Sequence, residues 1–182
     1  MNLYFRLVWT WVRAWLIAKL RPRMKMQDVG RLTFRVLPND LDINWHMNNG
    51  RYLTLLDLSM IDALTRSGFI KAVLSLGGMP MLGGSLITYR KQLKPFAKYH
   101  IDLHYLSSTP QWHVFSFVFT SEAGAIAAKG LIKGGVVSRR GLIPTADVWQ
   151  RHEEIFGEKV CVPDMPEVAA NWLAVEQAVF AL

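Results

Sequence analysis

Between Gly50 and Ser67 this chain of 182 residues carries the run that most limits what it can fold into. Tyr52, Leu53, Leu56, Met60, Ala63 and Leu64 recur at helical spacing, and Leu55, Leu58 and Ile61 carry apolar character around the other side. A helix that is apolar over most of its circumference has to be wrapped by other protein. Asn48 or Asn49 can cap its start, and Gly68 can end it.

The flanking segments supply the wrapping. Arg31–Leu37 alternates Leu32, Phe34 and Val36 against polar neighbours and reads as a strand. Residues 70–84, with Gly77, Gly78, Pro80, Gly83 and Gly84, read as a loop crossing. Four strand-like runs follow at Ser85–Leu93, His100–Leu106, Trp112–Thr120 and Ala125–Val137, and their short connectors predict an antiparallel meander. Beyond Pro144 the chain turns irregular, through Pro163 and Pro166, before a last helical run at Glu167–Leu182. This is an α+β order, packed most economically as an antiparallel sheet of five or six strands curled around the central helix. A curled sheet leaves edges open, so pairing of two copies through an edge strand or the helix side is expected. The divisions are an apolar, basic N-terminal helix (1–25), the sheet-and-helix domain (26–140) and a C-terminal extension (141–182). A lone cysteine, Cys161, excludes an intrachain disulfide framework and any multi-cysteine zinc site.

Leu3–Leu20 is rich in Leu, Trp, Val, Ala and Ile, yet Arg6, Arg13 and Lys19 interrupt it. Asn2, Arg6, Thr10 and Arg13 fall on one side of a helix, and Trp9, Trp11, Trp15, Leu16 and Ile17 supply most of the rest. An arginine near the centre of a spanning helix costs about 2.5–3.5 kcal/mol, and a cleavable signal would keep its apolar stretch uninterrupted. Two readings lead, and a single spanning anchor stands third behind them. The helix lies in a membrane interface with tryptophans at headgroup level and arginines reaching phosphates, or it packs on the protein's own body or a partner. The balance of 21 Lys+Arg against 14 Asp+Glu, a net +7, attracts nucleic acid, anionic lipid or a phosphorylated ligand. No nucleic-acid-binding motif accompanies the bases, so no nucleic acid is expected.

The stretch Asn39-Asp40-Leu41-Asp42-Ile43-Asn44-Trp45-His46-Met47-Asn48-Asn49-Gly50-Arg51-Tyr52 packs two carboxylates, a histidine and three asparagines beyond the first at a helix entrance, where free N–H groups carry partial positive charge. Its pattern, D-x-D-x-x-x-H-x-N-N-x-x-Y, together with the order of elements, resembles the hotdog-fold thioesterases of the 4-hydroxybenzoyl-CoA type. Leu64-Thr-Arg-Ser-Gly68, Tyr89-Arg-Lys-Gln-Leu93 and Pro163-Asp-Met-Pro166 followed by Trp172 are similar to the branch called thioesterase superfamily member 6. The resemblance spans roughly residues 30–175. It implies an acyl-CoA thioesterase, hydrolysing an acyl-CoA to free acid and CoA, with Asp40 as nucleophile or general base. The backbone N–H seven residues on, at Met47, would be the oxyanion donor. Where many relatives have glycine before the histidine, this chain has Trp45, whose indole would narrow the acyl pocket or alter the loop.

Simpler roles stand beside these. Asp40 after Pro38-Asn39 is good turn chemistry, and Asp42 reads as a structural anchor for loop N–H groups. His46 positions substrate or loop; Asn48 and Asn49 are caps, with one able to hold a water. Asp57 on the helix is the second candidate carboxylate, or else a partner for Arg51 or Arg90. Trp45, Asn49, Tyr52, Arg90 and Lys91 are the expected substrate contacts, the last two on CoA phosphates. His100 and His104 share a strand face with nothing to complete a metal set, and Ser85 lacks a nucleophile-elbow context. No cofactor is implied. The apolar chain favours a lipid-like acyl group, and a homodimer or homotetramer, cytoplasmic with peripheral membrane contact through residues 1–25, is the expected form. The rivals are a non-catalytic acyl-CoA or lipid-binding module and an acyl-thioester hydratase or dehydratase.

Overall fold

A computed structural model describes residues 2–181, Asn2 by its backbone alone. The elements run α1 (Asn2–Leu20), β1 (Gly30–Arg35), a 3-10 turn (Pro38–Asp40), α2 (Asn49–Arg66), α3 (Phe69–Ser75) and β2 (Met79–Tyr89). Then come β3 (Lys98–Ser108), β4 (His113–Ser121), β5 (Ile126–Ser138), β6 (Gly141–Ile143), α4 (Thr145–Phe156) and α5 (Glu167–Val179). This is the expected α+β hotdog architecture, an antiparallel sheet curled on a long helix. The Asn48 carboxamide caps α2 by accepting the Gly50 N–H at 2.8 Å. At the other end Gly68 takes φ +84°, and a Cβ there would lie 2.5 Å from the Phe156 ring. Tyr52, Leu55, Leu56 and Leu64 of α2 join Ile101, Leu103, Phe117 and Phe119 of the sheet in one buried core.

The sheet order is β1-β3-β4-β5-β2, all neighbours antiparallel, with β6 on β5. The expected four-strand meander is therefore three strands, β3-β4-β5, with β2 crossing to the far side of β5 and leaving its outer edge unpaired among the described residues. The expected loop at 70–84 is α3 and the first half of β2. Gly77 takes φ +66° in the turn after α3, whereas the later glycines serve close approach: a Cβ at Gly83 would lie 2.3 Å from the Trp112 ring, and one at Gly84 2.1 Å from the Glu176 carboxylate. The register slips between Leu82 and Gly84, as at a bulge. Pro144, read as a breaker, instead precedes the first residue of α4, where its fixed φ and missing N–H suit a helix start. The last helix ends at Val179, and Leu182, expected within it, lies outside the described residues.

Helix α1 packs on α2, with Arg6, Thr10 and Ala14 buried. Arg6 pairs with Asp40, and Arg13 pairs with the fully buried Asp62, which also takes Arg66 at 3.0 Å. The expected arginine–phosphate contacts are thus replaced by internal ion pairs. Packing on the protein's own body is what occupies the polar side of α1, and the tryptophans face outward. The Asn2 side chain, expected on that polar side, lies outside what is described.

Candidate functional site

Asp40 ends the 3-10 turn and is 1% exposed. The Arg6 guanidinium spans its carboxylate, Nη1 to Oδ1 at 3.1 Å and Nη2 to Oδ2 at 2.8 Å. The Leu37 N–H donates to Oδ2 at 2.9 Å, and Arg51 stands 3.7 Å away. The Asp40 carbonyl accepts the Asn48 N–H at 2.8 Å. Both carboxylate oxygens are engaged inside the protein, and the crevice that Asp40 borders with Asn39, Arg51 and Thr54 has no room for a ligand. Met47 is as buried, and its N–H donates to the Leu93 carbonyl at 2.9 Å, so that donor is occupied.

Between them the chain folds into a pinched loop. Leu41 and Met47 form a bridge, the Asp42 N–H donates to the His46 carbonyl at 3.0 Å, and the Asn44 N–H donates to Asp42 Oδ1 at 2.8 Å. This pinch needs a left-handed residue, and Trp45 supplies it at φ +56°. Its indole is 74% exposed and stands outside both cavities described below.

The pinch brings Asp42 Oδ2 to 3.3 Å from His46 Nδ1. His46, together with Asn49, Tyr52, Tyr89, Arg90 and Lys91, lines a cleft of about 210 Å³. The Asn49 N–H, first in α2, has no acceptor among the described residues, and Asn49 is one of the residues lining this cleft. Tyr89 donates its hydroxyl to the Asn49 carbonyl at 3.1 Å and meets Tyr52 edge-on at 5.1 Å. Burial, with Tyr89 beside it, pushes the Tyr52 phenol up to about 12, so it stays neutral. The side chains of Arg90 and Lys91 have no carboxylate partner among the described residues and sit at the cleft's edge. Asp42 and Asn49 stand seven residues apart, the same interval as Asp40 and Met47. The expected role of Asp42 as an anchor of loop N–H groups holds at Asn44, while its pairing with His46 went unread; the signal for it was the i,i+4 spacing.

A second cavity of about 310 Å³ lies farther along the same flank, between α2 and β2, walled by Met60, Ile61, Leu64, Phe69 and the Pro80–Leu82 segment. Asp57 stands at its rim with no partner among the described residues, and the surrounding protein pushes its carboxyl up. The cations offered for Asp57 lie elsewhere: Arg51 donates to the Asn39 carbonyl at 2.9 Å, and Arg90 faces the cleft. On the cavity wall His113 is 2% exposed, between the rings of Phe69 and Trp149, with neither ring nitrogen hydrogen-bonded. Burial drives its imidazole down to about 3. His100 contacts the Thr33 hydroxyl at 2.8 Å on the outer sheet face. No group of side chains fit to hold a metal ion occurs among the described residues.

A family model, the thioesterase-like superfamily, matches residues 36–173. Protein THEM6 of Xenopus laevis is 28% identical over 170 residues, covering 91% of this chain and 79% of its own. Among solved structures, the probable thioesterase YbaW from Escherichia coli superimposes with a TM-score of 0.63 at 20% identity, over 68% of this chain and 96% of its own. The protein SAV2348 from Staphylococcus aureus, solved in complex with CoA, gives 0.58 at 14% identity, over 80% of this chain and 94% of its own. These two likenesses establish the shared fold, and the family match starts just after β1 and runs through the cleft and strands β2 to β6 into α5. The chain is a member of the thioesterase-like superfamily, built on the hotdog fold.

Proposed function

We propose that this protein hydrolyses an acyl-CoA thioester to free acid and CoA at the cleft beside the entrance of α2. The observation that carries this reading is the meeting, in one cleft, of an Asp42–His46 pair with the unoccupied Asn49 N–H. The thioester carbonyl docks on the Asn49 N–H. Asp42 orients His46 through Nδ1, and the opposite ring nitrogen takes a proton from water as that water attacks the carbonyl carbon. The tetrahedral oxyanion forms against the helix entrance, where fixed N–H dipoles stabilise it without reorganisation. Collapse breaks the C–S bond, and the imidazolium returns its proton to the departing thiolate of CoA.

Arg90 and Lys91 bind the CoA phosphates in this reading, and that SAV2348 was solved with CoA supports a CoA-bearing substrate. The neighbouring cavity between α2 and β2 takes the acyl group; its apolar walls suit a lipid-like chain. Asp40 serves as the buried anchor of loop and α1 in place of the nucleophile that the family pattern suggested, and Asp57 borders the acyl cavity. The active form is a cytoplasmic homodimer joined along the free edge of β2, with α1 in contact with a membrane.

Release of free thiol from a panel of acyl-CoAs, short to long and aromatic, tests the reading. Asp42→Asn and His46→Ala are each expected to lower kcat/KM by about 10²-fold or more, the scale of a positioned base. Asn49→Pro removes the N–H at a helix position that accepts proline, and is expected to cost about 10²–10³-fold in kcat. Loss of turnover confined to a well-folded Asp40→Asn or Asp57→Asn would move the chemistry to that carboxylate. Binding of acyl-CoA with no thiol released from any substrate would make the protein a binding module.

A further inference from the structure

Helix α1 has its charges on the wrong side for a helix facing water. Arg6 and Arg13 point inward to buried carboxylates, while Tyr4, Phe5, Trp9, Trp11, Trp15 and Leu16 point outward, none less than 43% exposed. At 100° per residue the outward apolar positions sweep about half the circumference, broken only by Lys19 near the helix's C-terminal end. The five aromatic side chains alone leave on the order of 600 Å² open, taking ~200 Å² for each, which stands at the top of the range of about 300–600 Å² that the largest apolar patch of a soluble monomer spans.

We infer that this outer face of α1 is a docking surface for a bilayer containing anionic lipid. The composition selects lipid over a protein partner. Tryptophan and tyrosine are the residues that settle at the water–lipid interface, and α1 contains no acidic residue. The exposed cations gather at one end: Lys19 holds its ammonium 4.0 Å over the Trp15 ring, and Arg21 follows with no carboxylate partner among the described residues. A cation stacked beside an interfacial indole is placed to meet lipid phosphates, and a net +7 adds long-range attraction to a negative surface. The strip from Tyr4 to Leu20 is about 24 Å long, and no helix among the described residues is long and apolar enough to cross a membrane. The helix therefore lies in the interface plane. It also precedes the residues matched by the family model, so the surface is an addition to the shared fold. The inner ion pairs keep α1 seated on α2 off the membrane, which makes the docking face preformed.

The test is co-sedimentation of the full chain with vesicles of phosphatidylcholine alone and of phosphatidylcholine with phosphatidylglycerol, with light scattering of the free protein. Binding to the anionic vesicles, weakened by salt and by Lys19→Glu with Arg21→Glu, is the expected result. Trp9→Glu with Trp11→Glu is expected to lower binding at least tenfold while far-UV circular dichroism stays unchanged. Should that variant misfold, quenching of wild-type tryptophan emission by brominated lipid reads the same contact without a mutation. Wild-type protein left in the supernatant with every vesicle overturns the inference. So does a wild-type oligomer that the glutamates dissociate in the absence of any vesicle binding, which would make the face an interface between copies.

Discussion

A left-handed backbone at a residue with a Cβ costs about 1–2 kcal/mol, and Trp45 bears that cost to pinch the loop that brings Asp42 against His46. Trp45→Gly is therefore expected to raise the melting temperature by about 2–4 °C in calorimetry, whereas Trp45→Ala, which keeps the Cβ, is not. His113 makes a second claim at this scale. Its folded pKa, down to about 3, lies below the unfolded value near 6.5, so between those two pH values the unfolded chain binds the extra proton and stability falls as pH falls. Urea unfolding from pH 7 to 4 should show a slope of up to about 1.4 kcal/mol per pH unit from this residue, flattened in His113→Phe. The candidate site was legible in the D-x-D and H-x-N-N letters, but which aspartate faces out was not. That choice rests on Arg6, 34 residues away in sequence, closing over Asp40. Local spacing cannot report so distant a partner.

At the scale of elements, α1 and the loop are one unit, because Arg6 donates to the Arg35 carbonyl as well as to Asp40. Arg6→Ala leaves a buried carboxylate without its cation and is expected to cost about 3–5 kcal/mol in urea unfolding. Arg6→Met combined with Asp40→Leu, which removes both charges, should recover much of that loss. Helices α1, α2 and α5 and most strands were readable from their apolar periods. Helix α3 and the start of β2 were hidden by Gly77, Gly78, Gly83 and Gly84, since a glycine needed for close packing and one needed for a turn look alike in sequence. Helix α4 was hidden by Pro144, which ends one helix and starts another with equal ease. The inward orientation of α1 was undecidable from periodicity, which shows which residues share a side but not what that side meets.

For the whole molecule, the consequential feature is the outer edge of β2. It is 11 residues long, open among the described residues, and carries Met79, Met81, Leu82 and Leu86 exposed. Edges of that length and character pair with another chain. Leu86→Lys is expected to shift the protein from dimer to monomer in light scattering and to leave the far-UV spectrum unchanged. The curl of the sheet around α2 could be anticipated from a helix apolar on most faces, whereas the place of β2 beyond β5 could not, because strand order rests on pairing energies that alternation does not encode. The seating of α1 also has a practical consequence for handling the protein. Cutting away the first twenty residues is the obvious remedy for a greasy terminus, yet here it strips Arg6 from Asp40 and Arg13 from Asp62. A trimmed chain would become less tractable, and a well-behaved preparation should instead keep α1 whole and recolour its outer face with polar side chains.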